Sequence, residues 1–153
     1  MKQIFSVILL SIITLNISNA QADSRVKQFN VEKGLAIQGY DPVAYFTQNK
    51  AIKGNTQFVA TVEGITYNFT NAANKDLFIK DPKKYEPQYG GWCAYAMGAT
   101  NEKVAIDPQT FKIVGGKLYL FYHSWVNNTL TKWNKDEGSL KSKADMNWVS
   151  KFK

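Results

Sequence analysis

The chain has 153 residues, of which 44% are hydrophobic and 14% aromatic, and a formal net charge of +7 at pH 7. Less an N-terminal leader, that length suits one domain with its own core. Its lysines are scattered through turns and termini with no run longer than Lys83-Lys84, a solvated surface with no nucleic-acid footprint; weak electrostatic attraction to anionic lipid or polymer is the minor alternative.

Lys2, an almost wholly apolar run from Ile4 to Ile17, and small residues at Ser18, Ala20 and Ala22 have the form of a secretory signal peptide, cleaved after Ala20 or Ala22. The apolar run is short for crossing about 30 Å of hydrocarbon. The expected organisation is a signal peptide over 1–20, a mobile leader over 21–31 and one domain over 32–153, in the periplasm or secreted. Leu35 and Ile37 alternate with polar neighbours, predicting a short strand ended by Gly39. Asp41-Pro42 reads as a helix start, since aspartate caps and proline suits the first helical position. Phe58, Ala60 and Val62, then Ile65, Tyr67 and Phe69, alternate on either side of Glu63-Gly64 and predict a hairpin. Thr70 or Asn71 caps a helix with Ala73, Leu77 and Phe78 on one face, ended by Asp81-Pro82. Phe111–Val114 and Lys117–Tyr122 form a second hairpin through Gly115-Gly116. Val126, Leu130 and Trp133 at i, i+4 and i+7 predict a helix, and Leu140, Ala144 and Trp148 another. Short strands mixed with short helices, without a βαβ rhythm, give an α+β fold: two antiparallel hairpins with helices packed on them.

Chemistry centres on Cys93, the one cysteine of the chain. An exported protein with one cysteine builds no internal disulfide, so the thiol is free, metal-bound, joined to another molecule or buried. Gly90-Gly91 frees the backbone just before it, and Trp92 to Met97 is helix-compatible. A helix starting there favours the thiolate through its amide groups and positive end; the alternative is a small buried hydrophobe between Trp92 and Tyr95. His123, the one histidine, is either a satisfied structural residue or a ligand or base toward Cys93. Met97, one helical turn after Cys93, adds a thioether or simply packs. Cys93, His123 and Met97 together suit a soft metal ion such as copper(I), or zinc. The aromatic content implies a core or pocket walled by rings, and Cys93 is expected at or beside a pocket walled by some of Trp92, Tyr95, Tyr40, Tyr45 and Tyr122. Asp41, Asp81 and Asp107 each precede proline and read as caps or turns. With no phosphate loop and no Ser-His-Asp context, a hydrolase has no support in the sequence.

Gly39-Tyr40-Asp41-Pro42-Val43-Ala44-Tyr45-Phe46, Gly64-Ile65-Thr66-Tyr67-Asn68-Phe69, Phe78, and Asp81-Pro82-Lys83-Lys84-Tyr85 resemble in order and spacing a YHS domain. Tyr89 to Ala94, Asp107-Pro108, Gly116 to Leu120, Trp133 and Ala144 to Trp148 extend the likeness over roughly residues 32 to 150. The whole is similar to exported bacterial YHS-domain proteins, a group in which some relatives carry selenocysteine at the position of Cys93. That use of a more nucleophilic atom implies function at this position. Metal-linked YHS domains place a cysteine two residues after Asp-Pro and a pair after the Tyr-x-Phe strand. Those positions are Ala44, Thr70 and Asn74 here, so the cysteine-cluster site of the family is absent from this chain. The expected function is a non-catalytic domain binding a small ligand or metal ion near Cys93; the alternatives are a thiol-dependent redox protein using Cys93 as nucleophile, and an interaction domain, with a protein partner, in which Cys93 only packs.

Overall fold

Alternating apolar residues and glycine-containing turns generate most of the strands in the computed structural model, which describes residue 22 and residues 24–151. The expected signal peptide lies outside the described residues. Strands β1 (Val31–Glu32), β2 (Leu35–Ala36), β3 (Asn55–Val62) and β4 (Ile65–Phe69) form one sheet in the order β1-β2-β4-β3. β3 and β4 are antiparallel, with Ala60 opposite Tyr67 and Val62 opposite Ile65, whereas β2 joins β4 in parallel at Leu35 and Thr66. β5 (Asp107–Val114) and β6 (Lys117–Phe121) make a second antiparallel hairpin, and β7 (His123–Ser124) and β8 (Asn127–Asn128) a third small sheet. The α+β fold is as expected, with both predicted hairpins present.

Among the described residues four hairpins turn through two residues each. Lys33-Gly34, Glu63-Gly64 and Gly115-Gly116 have positive φ at both positions, the twist-compatible geometry that favours glycine. The fourth turn, Trp125-Val126, has positive φ at neither. Val126 was expected on a helix with Leu130 and Trp133; the helix instead begins after the hairpin. Ile37, expected in a strand, has a φ of 50° and opens a 3₁₀ turn over Ile37–Gly39. Both residues matched a periodicity by chance over too few positions to fix a period.

Three of the helices, α1, α2 and α5, start where a side chain satisfies their first amides. Asp41 Oδ1 accepts from Val43 N and Ala44 N at 2.8 and 3.3 Å and opens α1 (Pro42–Gln48). Asn71 Oδ1 accepts from Asn74 N at 2.8 Å and opens α2 (Ala72–Lys80). Pro82 then begins a short α3 (Pro82–Tyr85). After a 3₁₀ turn at Gln88–Gly91 come α4 (Ala94–Ala99), α5 (Thr129–Trp133), capped by Asn128, and α6 (Glu137–Ser150).

The apolar side chains collect in two clusters, and β6 divides them. Leu118 and Leu120 face a core containing Val43, Tyr45, Ile65, Tyr67, Phe69 and Phe78. Tyr119 and Phe121 face a second core built on Met97, Trp133, Leu140 and Ala144. A strand covered on both faces must be apolar at successive positions, which accounts for the run Leu118-Tyr119-Leu120-Phe121. In the second core Trp133 is fully buried, with ring centroids 5.8 Å from Tyr119 and 5.5 Å from Phe121. Here α4 touches α6 at the backbone: a Cβ on Gly98 would lie 2.4 Å from the Leu140 carbonyl oxygen. Asn147 Nδ2 donates to Met97 O at 2.8 Å and ties the pair.

Within the expected mobile leader, residues 24–31 are docked. Arg25 bridges Glu63 at 2.9 Å and Glu86 at 2.6 Å, with its guanidinium 4.4 Å from the Phe29 ring centroid. Asn30 donates from N to Gly90 O and from Nδ2 to Gly91 O. These partners are distant in sequence, so nothing in the local composition announces them.

Candidate functional site

Tyr89 and Gly90, with φ of 55° and 60°, swing the chain inward just before Cys93. Cys93 N donates to Val104 O at 3.0 Å, and Cys93 O accepts from Met97 N at 3.0 Å. Cys93 thus occupies the N-cap of α4, within the helix-compatible stretch, but its side chain makes no capping hydrogen bond. The thiol turns away from its own helix, into the first core, and is 0% exposed.

Three hydrogen bonds enclose it. Tyr122 N donates to Sγ at 3.3 Å, Sγ lies 3.4 Å from Thr129 Oγ1, and Thr129 Oγ1 donates to Tyr122 O at 2.7 Å. Since the Thr129 hydroxyl proton is committed to Tyr122 O, its oxygen is left to accept from the thiol. The result is a closed ring, Tyr122 N–H to Sγ–H to Oγ1–H to Tyr122 O, in which every polar group has a partner. It joins α4, the end of β6 and the start of α5.

The residues expected around a pocket gather as packing. Tyr45 lies in the same core cluster as Cys93, and Tyr40, Tyr95 and Tyr122 pack against it, whereas Trp92 packs against the second cluster. Tyr45 is fully buried, donates to Pro108 O at 2.8 Å, and meets Phe111 edge to face at 4.8 Å. Trp92 Nε1 donates to Gln28 O at 2.6 Å. Lys53 stands over the Tyr40 ring and Lys132 over that of Tyr95. These rings are held by packing and hydrogen bonds of their own, and the thiol is fully buried. A surface cleft of about 280 Å³ lies elsewhere, lined by Phe29, Glu86, Tyr89, Asp145, Trp148 and Val149 among others.

The expected metal ligands have separate surroundings. His123 Nδ1 is 3.4 Å from Asp107 Oδ2 and 3.3 Å from Thr110 Oγ1, on a side chain 45% exposed. Met97 is fully buried in the second core. His123 and Cys93 share no hydrogen bond, and among the described residues no group of three or more His, Cys, Asp or Glu side chains converges as a metal site. Sequence spacing contains no information on which face of the β6 end each residue takes, and here Cys93 meets the Tyr122 amide while His123 turns to Asp107.

Asp41 is the cap that Asp-Pro predicts, with a wider role that the sequence does not announce. Its side chain is fully buried, and besides the two α1 amides Oδ2 accepts from Thr70 N, Thr70 Oγ1 and Asn74 Nδ2 at 2.8, 2.8 and 2.7 Å. This cluster fastens α1 to the end of β4 and the start of α2. A similar role falls to Glu86, whose Oε1 accepts from Tyr67 Oη at 2.8 Å and from Arg25. Burial, reinforced by Glu86, pushes the Tyr67 phenol far above its ordinary range; burial does the same to Tyr45 and, with Asp145, to Tyr89.

Comparison of the chain with family models, with characterised proteins and with solved structures found no match.

Proposed function

We propose that this chain is an exported, non-catalytic domain of the YHS type that acts through its surface, with Cys93 serving its core. The observation that carries this reading is the sealed thiol: Sγ sits in a closed hydrogen-bond ring on a residue 0% exposed. Binding at Cys93 requires breaking that ring, and among the described residues no group of three or more His, Cys, Asp or Glu side chains converges to complete a metal site.

Support for the family reading comes from the Asp41 cluster. Ala44, Thr70 and Asn74, the positions at which the resemblance puts thiols in metal-linked members, share one carboxylate: Ala44 N on Oδ1, Thr70 and Asn74 on Oδ2. Ala44 thus meets Thr70 and Asn74, 26 and 30 residues further along the chain, at one place. Here hydrogen bonds fill that place, and its donors offer a soft metal no thiolate, thioether or imidazole. Export rests on the charged start, apolar run and small-residue cleavage site of the leader.

Copper(I) and zinc titrations of wild type and Cys93→Ala test this function. The expected result is the same titration for both proteins, with no stoichiometric site that depends on the thiol. A one-to-one site present in wild type and lost in Cys93→Ala makes the protein a Cys93-centred metal carrier and overturns the reading.

A further inference from the structure

The β7–β8 turn exposes Trp125 and Val126 at 102% and 89%, in a protein whose other tryptophans each pack into or against the second core. The turn itself does not require them. The three other two-residue turns use glycine at positive φ, whereas this one holds two large apolar side chains on an ordinary backbone. Nor is the tip loosely held. Thr129 N and Oγ1 both donate to Tyr122 O, His123 contacts Asp107 and Thr110, and His123 and Ser124 pair with Asn128 and Asn127. The hairpin is a braced projection with an apolar end.

We infer that Trp125 and Val126 form an insertion tip for an anionic lipid surface. This rests on the proposal that the domain acts through its surface, and names the partner. A convex two-residue tip is too small for a stable protein interface, which buries about 800 Å² per partner. It fits the headgroup boundary of a bilayer, where tryptophan is favoured because its ring is apolar and its N–H polar. Charge points the same way: the chain carries a formal net charge of +7, and α5, which follows the hairpin directly, holds Lys132, whereas Lys112 is neutralised by Glu137 at 2.7 Å. Asp107 is likewise engaged by Thr110 and His123. A net positive charge on the chain and a shallow apolar tip supply the two attractions that a peripheral protein needs to hold an anionic bilayer.

The test is cosedimentation of the chain recovered after export with vesicles of phosphatidylcholine containing about 30 mol% phosphatidylglycerol, an anionic surface that attracts lysines. Wild type should bind these vesicles and bind pure phosphatidylcholine much more weakly. The double variant Trp125→Ser, Val126→Ser should lose about tenfold in partition, through loss of buried apolar area, at an unchanged melting temperature. Lipid carrying bromine near the headgroup should quench a part of wild-type tryptophan emission that the variant lacks. Equal binding by both proteins, or no binding of wild type to the anionic vesicles, overturns the proposal. Neither result bears on the sealed thiol, which the metal titrations test without lipid.

Discussion

Cys93 and Asp41 are each buried completely, and the difference between them lies in how many groups depend on them. Cys93 fills a small volume, and its side chain makes two hydrogen bonds, one with Tyr122 N and one with Thr129 Oγ1. Cys93→Ala should therefore cost about 1–2 kcal/mol, a small cavity plus one unpaired amide, measured by urea unfolding; an effect above that range would mean that the ring organises more than its own corner. Asp41 accepts five hydrogen bonds from α1, Thr70 and Asn74. Asp41→Ala leaves those donors without their acceptor and should cost about 3–5 kcal/mol. A loss under about 1 kcal/mol would show that water replaces the carboxylate. The capping half of Asp41 was legible from Asp-Pro before an apolar turn. Its other half was not, because Thr70 and Asn74 lie 29 and 33 residues away and only the fold brings them near.

At the scale of elements, strands were legible and helix limits less so, for a physical reason. Alternation over Phe58–Val62 and Ile65–Phe69 with a glycine turn between them leaves one register that buries Ile65, Tyr67 and Phe69 together. Val126, Leu130 and Trp133 also fit a period, but Asn128 Oδ1 accepts from Leu130 N at 3.0 Å and sets the helix start beyond Val126. The contact of α4 with α6 gives a sharp test. Helix propensity alone predicts that Gly98→Ala stabilises by about 1 kcal/mol. The Leu140 carbonyl, 2.4 Å from the added Cβ, predicts instead a net loss of about 2 kcal/mol as the helices part. Thermal unfolding of this one variant decides between them by sign. Gly98 carried no sequence signal of this contact, since α6 approaches it from more than forty residues away in the chain.

The whole molecule is two cores sharing β6, and its tyrosines tie its stability to alkaline pH. Burial raises the phenols of Tyr45, Tyr67, Tyr89 and Tyr119 above the ordinary value of 10. A phenol whose folded pKa exceeds its unfolded one contributes stability that is fully present below about pH 10 and lost as pH rises. The unfolded chain ionises first, so unfolding precedes tyrosinate formation at these positions. An alkaline titration should show part of the 295 nm tyrosinate absorbance appearing with the loss of near-ultraviolet circular dichroism; full ionisation with tertiary structure intact would contradict the packing of both cores. At this scale the sequence announced the fold class and a core or pocket of aromatic rings, and its helix-compatible stretch from Trp92 to Met97 overlaps the helix whose N-cap is Cys93. What it could not supply was the direction of the thiol. A residue at an N-cap can face its own helix amides or the interior, and the choice was made by Tyr122 and Thr129, from elements 29 and 36 residues away.

The direct measurement is therefore the rate at which Cys93 reacts with a thiol reagent, followed from zero denaturant through the urea unfolding transition. A sealed core thiol should react about a thousandfold or more slowly in the native protein than in the unfolded chain, with a rate that tracks the opening of the fold. A native rate close to that of the unfolded chain would mean that Sγ is available without opening. In that case a binding or redox function centred on Cys93 would replace its role as a sealed core residue.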